Sequence, residues 1–176
     1  MPGEFEPHAA TWMMWPERPD IWRDAAVPAQ AAFVRLASAI ADCEPLRVGA
    51  SPRQFARARA ALPPQVAVLR LPNDDAWMRD TGPTFLLDAR GRRRGVDWRF
   101  NAWGGLFADC RRDDAVARAV LAHERAPRYR APMVNEGGAL HSDGEGTLLV
   151  TEQCLLNPNR NPRLDEAAIE ALLKAY

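Results

Sequence analysis

The chain has 176 residues, 47% hydrophobic and 26% charged, enough for one domain with a core and too apolar for global disorder. Its 23 basic and 23 acidic residues cancel, which argues against a nucleic-acid or anionic-membrane surface. The N-terminus lacks a basic segment followed by an apolar one, and no run approaches the roughly 18 apolar residues of a membrane span.

In chain order, Thr-Trp-Met-Met-Trp-Pro at 11–16 reads as a strand ending at Pro16. A helix follows, with Pro28 in its first turn and Phe33, Leu36, Ala37 and Ile40 on its apolar face. Residues 46–50 form a short buried strand. Ser51-Pro52-Arg53-Gln54 starts a second helix: Ser51 caps, Pro52 takes the first position and Gln54 closes a capping box. Phe55, Ala58 and Leu62 form its buried stripe, and Pro63-Pro64 end it. Val66, Val68 and Leu69 lie in a strand running into Asn73-Asp74-Asp75.

Residues 84–88 and 95–101 read as a hairpin around Gly91 and Gly95, with Arg92-Arg93-Arg94 at its solvated tip. Asp113 caps a helix carrying Val116, Val120 and Leu121. Residues 138–142 and 147–152 make a second hairpin turning at Asp143-Gly144, and 157–162 (Asn-Pro-Asn-Arg-Asn-Pro) is an irregular loop. The last helix carries Leu164, Ala168, Ile169, Leu172, Leu173 and Tyr176, with no glycine cap or breaker after it. Its apolar face needs something to pack on, which points to a missing partner half.

A weak repeat links the two hairpins. Asp80-Thr-Gly-Pro-Thr leads into the first and Glu136-Gly-Gly-Ala-Leu into the second, each a carboxylate before Gly and an apolar strand. Around a common axis the two carboxylates would meet; otherwise both are turn residues beside glycine.

The segment Asn73-Asp74-Asp75-Ala76-Trp77-Met78-Arg79-Asp80-Thr81-Gly82-Pro83 is unusually rich for a loop. Carboxylates take paired hydrogen bonds from a planar guanidinium, and an indole adds a cation–π face. The plainer reading pairs Arg79 with a neighbouring Asp and puts Trp77 in the core. Phe100-Asn101-Ala102-Trp103-Gly104-Gly105 either lines the same pocket or is a bulge with Trp103 as packing. His8, His123 and His141 have no metal-ligand spacing. Cys43, Cys110 and Cys154 lack disulfide or CxxC patterns, which fits a reducing cytoplasm. Cys154 reads as a small hydrophobe in an apolar strand continuation.

Together, Glu6-Pro7-His8-Ala9-Ala10-Thr11-Trp12, Trp15-Pro16, the segments at 73–83 and 100–105, Glu136-Gly137-Gly138, Asp143-Gly144-Glu145-Gly146-Thr147 and the loop at 157–162 resemble the agmatine deiminases. These are guanidine-modifying pentein enzymes grouped with the bacterial-type peptidylarginine deiminases. The resemblance implies an α/β fold, a pentein β/α-propeller of ββαβ modules, of which residues 1–176 are one partial domain with the first two to three modules. It implies that Asp80 and Glu136 are catalytic carboxylates that hold the guanidinium. It also implies that Trp77, Asp74 and Trp103 contact the substrate. The implied reaction converts agmatine and water to N-carbamoylputrescine and ammonia without metal or organic cofactor, peptidyl-arginine being the alternative substrate. The family's catalytic His, second Asp and nucleophilic Cys come from the other half, and His141 and the three cysteines do not match them. The expected partners are therefore a small guanidine cation and either the missing C-terminal half or a second copy. The other alternative is an inactive fragment that only binds.

Overall fold

A computed structural model describes residues 1–176. Their contacts divide them into two units, Pro7–Met78 and Met1–Glu6 with Arg79–Tyr176.

The Pro7–Met78 unit is a three-stranded parallel sheet with two helices. Its elements are β1 (Thr11–Met14), α1 (Val27–Ala41), β2 (Leu46–Ala50), α2 (Phe55–Ala61) and β3 (Ala67–Arg70), with strand order β1-β2-β3. Thr11 pairs with Leu46 and Val48 with Val68. The central strand β2 is the most buried of the three, as expected for a parallel strand covered on both faces. Met13, Trp15, Ala37, Leu46, Val48, Ala58, Leu62 and Val66 form the core, with Phe33, Ile40 and Val68 packed on it.

Two expectations change here. Leu36 is 50% exposed while Ala37 is fully buried. Consecutive helix residues are turned about 100° apart, so Ala37 on the sheet swings Leu36 outward. Gln54 donates its N–H to Ser51 Oγ at 3.3 Å, but its own side-chain oxygen is buried without a partner and α2 begins only at Phe55. Ser51 therefore caps a turn, and the capping box is not closed.

The second unit contains α3 (Met78–Thr81, the element that joins the units), β4 (Thr84–Leu87), β5 (Arg93–Arg99), α4 (Ala102–Gly105) and α5 (Val116–His123). It continues with β6 (Arg128–Val134), β7 (Leu140–Ser142), β8 (Leu148–Val150), α6 (Glu152–Leu155) and α7 (Glu166–Lys174). The strands form a sheet ordered β4-β5-β6 and a β7-β8 hairpin. β4 and β5 are antiparallel, while β5 and β6 are parallel with a register shift between Asp97 and Arg99. Both expected hairpins are present. The first turns at Asp88–Gly91, with Gly95 inside β5. Arg92 and Arg94 pair with Asp88, and Arg93 pairs with Glu124.

Asp97 is fully buried and accepts from Arg128 Nε at 2.5 Å and Arg130 Nη1 at 2.6 Å, tying β5 to β6. Arg130 also forks onto both oxygens of Asp114 at 2.8 and 2.7 Å. Asp113 was expected to cap α5, but it is buried in a 3-10 turn and α5 has no side-chain cap. Asp114, one residue on, instead accepts the backbone N–H of Phe100 at 2.7 Å.

The final helix is covered within its own unit. Ile169 is buried in the core with Val96, Trp98, Ala131, Met133, Leu140 and Leu155, and Leu164, Leu172, Leu173 and Tyr176 pack against it. Tyr176 meets Trp98 edge-on at 5.6 Å. The apolar face of α7 therefore does not itself require a missing partner. Asp165 caps α7 by accepting from Ala168 N at 2.9 Å.

Candidate active site

Asp80 lies in α3, just ahead of the Gly82-Pro83 turn that starts β4. The Trp103 indole N–H donates to Asp80 Oδ2 at 3.3 Å, and the backbone N–H of Gly138 donates to the same carboxyl group. Burial pushes the Asp80 carboxyl above its ordinary value of 3.8, against the opposing pull of Trp103, Gly138 and Arg79. Arg79 points elsewhere: its partner is Glu4, not a neighbouring Asp.

Glu136 follows β6 in extended backbone and opens the 3-10 turn Gly137–Ala139. It is 3% exposed. Arg160 Nε donates to its Oε1 at 2.8 Å, while its Oε2 is buried without a hydrogen-bond partner. The glycines after it explain how the two carboxylate segments come together. A Cβ on Gly137 would lie 2.2 Å from the carbonyl oxygen of Arg79, and one on Gly138 would lie 3.2 Å from Asp80 Oδ1. Without side chains, the Glu136 turn can lie directly on the Arg79-Asp80 backbone. The structure thus brings together the two carboxylate segments that the repeat pairs.

Trp103 is held by an unusual turn. After β5 the backbone passes through left-handed conformations at Ala102 (φ 54°), Trp103 (φ 55°), Gly104 (φ 90°) and Gly105 (φ 85°). Two non-glycine residues there cost strain, which surrounding bonds must hold. Asn101 supplies them: its Oδ1 accepts Gly104 N–H at 2.9 Å and its Nδ2 donates to Asn159 O at 2.8 Å. The Trp103 ring meets Phe100 edge-on at 5.0 Å. Asn159 Oδ1 in turn accepts from Arg160 Nη1 at 2.9 Å. A chain of contacts therefore runs from Asp80 through Trp103, Asn101, Asn159 and Arg160 to Glu136, and returns through Gly138 to Asp80.

Cys154 needs correction. It lies on α6, not in a strand. Burial, the charge of the neighbouring Glu136, that of Asp80 and a weak hydrogen bond to the Glu136 carboxyl push its thiol above 9.0, while Arg160 pulls it down. A thiol kept protonated is a poor nucleophile, so it neighbours the carboxylates without the chemistry of an attacking group. His141, on β7, is exposed and its Nδ1 lies 4.0 Å from Glu4 Oε2.

In the other unit, Trp77 is 40% exposed, which rules out the core reading. It stacks on Trp22 at 5.6 Å between ring centres and donates its indole N–H to Asp75 Oδ2 at 2.8 Å. Asp75 is buried and also accepts from the Trp22 indole at 3.0 Å and from Ala76 N at 2.7 Å. Of the acidic pair, Asp75 organises the loop and Asp74 is the more accessible.

Arg160 and Cys154 were not singled out as site residues from sequence. Arg160 is legible only as the cation inside an amide-rich loop, and Cys154 reads only as a small hydrophobe in a strand because the four-residue α6 is too short to show periodicity.

Known proteins resemble this chain over its whole length. The chain is 57% identical over 182 aligned residues to an agmatine deiminase of Stutzerimonas stutzeri (strain A1501), covering 100% of the chain and 50% of that protein. It is 56% identical over 182 residues to one from Pseudomonas aeruginosa (strain LESB58), again covering 100% of the chain and 50% of the relative. The solved agmatine deiminase of Enterococcus faecalis superposes with a TM-score of 0.97 at 49% identity, covering 100% of this chain and 50% of that one. The chain thus spans about half the length of the curated relatives it matches. Its fold class is α/β of the pentein type, present as part of a β/α-propeller. The family model for Porphyromonas-type peptidyl-arginine deiminase matches residues 1–176, and the chain belongs to that family.

Proposed function

We propose that this chain supplies the carboxylate half of a site that binds and deiminates a guanidinium cation, with agmatine as the substrate. The observation that carries this is the buried Glu136 Oε2, which has no N–H or O–H donor, only the weak Cys154 thiol beside its carboxyl group, while its sister oxygen is held by Arg160. A buried charged oxygen without a donor is costly, and a ligand N–H relieves that cost. Asp80, close by through Gly138, supplies the second carboxylate for a planar cation.

The complete reaction is a substitution at the guanidinium carbon. A thiolate forms a C–S bond, ammonia leaves with a proton from a general acid, and water then breaks the C–S bond to release N-carbamoylputrescine. In this reading Asp80 and Glu136 are the catalytic carboxylates that orient the cation, and Trp103 flanks it. The nucleophile, the catalytic His and a second Asp lie outside residues 1–176.

Ammonia release from agmatine, and from peptides ending in arginine, tests this. The expected result is no turnover by residues 1–176 alone and turnover once the remaining half of the relatives' length is supplied, agmatine being preferred. Activity of residues 1–176 alone would show that the nucleophile has been misplaced. In the complemented enzyme Asp80→Asn is expected to lower turnover by orders of magnitude.

A further inference from the structure

Arg160 gives the site a feature that the two carboxylates alone would lack. Glu136 can turn about its terminal bond, so a buried carboxylate with two free oxygens has no fixed orientation. Arg160 Nε holds Oε1 at 2.8 Å, with side chains only 11% and 4% exposed. Arg160 is itself held, because Nη1 donates to Asn159 Oδ1 at 2.9 Å and the Asn159 carbonyl is pinned by Asn101. Gly104 leaves the room: a Cβ there would fall 2.4 Å from the Asn159 side chain and 2.6 Å from Arg160 Nη1.

We propose that Arg160 is a positioning residue that clamps one oxygen of Glu136 and so commits the other, Oε2, to an N–H of the guanidinium ligand. The inference rests on the reading of this site as a guanidinium site. Charge supports it. Asp80, Glu136 and Arg160 together carry one net negative charge when ionised, which one guanidinium neutralises. Without Arg160 the pocket would hold two buried negative charges facing one cation. The two like charges would then repel each other with no cation between them until the ligand arrives.

The specificity of the clamp also follows from its chemistry. Arg presents a planar fork that bonds Glu136 and Asn159 at once, while Lys carries the charge on a single flexible nitrogen. Arg160→Lys therefore retains the charge and loses the orientation.

The test uses residues 1–176, with agmatine and guanidinium chloride as probes, following the Trp103 indole N–H by NMR. The second readout needs no ligand: the pH midpoint of Cys154 alkylation by iodoacetamide, located by peptide mass mapping. In the wild type the probes shift the Trp103 signal. Arg160→Gln should weaken agmatine binding about tenfold or more, the loss of a charge-assisted contact, and should raise the Cys154 midpoint because the opposing cation is gone. Arg160→Lys should restore the thiol midpoint but not the affinity. If Arg160→Gln does not fold, Asn159→Ala frees Nη1 without removing charge and should weaken binding several-fold. Wild-type affinity in a folded Arg160→Gln or Asn159→Ala chain, or an unmoved Cys154 midpoint in Arg160→Gln, overturns the positioning role. Failure of both probes to bind the wild type overturns the guanidinium reading instead, and the thiol midpoints still report whether Arg160 and Glu136 are coupled.

Discussion

The indole N–H of Trp103 reaches Asp80 Oδ2 at 3.3 Å from a residue whose own backbone is left-handed. Strain in the chain is thus tied directly to a bond on the candidate catalytic carboxylate. Trp103→Phe keeps the ring and removes the donor. The bond favours the charged form, so its loss should raise the Asp80 titration midpoint further. Carboxyl carbon chemical shifts against pH would show this, and an unchanged midpoint would mean that the bond has no electrostatic weight.

Asp80 also makes a prediction about stability. Its folded pKa lies above the unfolded value of 3.8 because burial penalises the charge. The native state then holds the proton more tightly than the unfolded state, so this contribution is present below 3.8 and is lost as pH rises through the folded pKa. Asp80→Asn keeps an acceptor for Trp103 and Gly138 but cannot ionise. It should raise the melting temperature at neutral pH while weakening guanidinium binding. Calorimetry at pH 7 and pH 3 checks both the sign and its disappearance in acid.

Removing the charge of Glu136 should release the thiol beside it. Burial and Glu136 both raise the Cys154 pKa above 9.0, so Glu136→Gln should lower it and speed alkylation at pH 8. Cys43, which is exposed, serves as the internal reference and should keep its rate.

The Glu136 turn should be intolerant of side chains in a graded way. Gly137→Ala places a Cβ 2.2 Å from the backbone oxygen of Arg79, which cannot swing aside as a side chain can. A loss of about 1–3 kcal/mol is expected, as for overpacking. Gly138→Ala approaches only Asp80 Oδ1, at 3.2 Å, and should cost less while disturbing the carboxylate. Denaturant midpoints rank the two, and the reverse ranking would contradict the proposed packing of the turn.

Asp97 is the strongest electrostatic tie between β5 and β6. It is fully buried and pairs with two arginines, one of which also pairs with Asp114. Asp97→Ala takes a shared acceptor from Arg128 and Arg130, leaves Arg130 paired with Asp114, and should destabilise the chain by about 1–3 kcal/mol, in the range for losing hydrogen bonds to a charged group. Urea unfolding measures it.

The local rules of the chain were legible without coordinates. Periodicity marked α1 and α7, prolines marked where α1 begins and α2 ends, and apolar runs marked β2 and β3, because each signal depends on neighbours within a few residues. The Asp80 and Glu136 repeat was visible for the same reason, as two carboxylates each set before glycine and a hairpin. Other features had no local signal. Gly137 must be glycine because of the carbonyl of Arg79, distant in sequence, and Leu36 is exposed because the sheet already contacts Ala37. α7 finds its cover on Trp98, and Arg160 finds Glu136 only after the loop folds back onto the Asn101 turn. Sequence determined which groups could bind a flat cation, since that is a property of the side chains. Tertiary structure decided which oxygen is clamped and which is left open, because that depends on bonds between residues far apart in the chain.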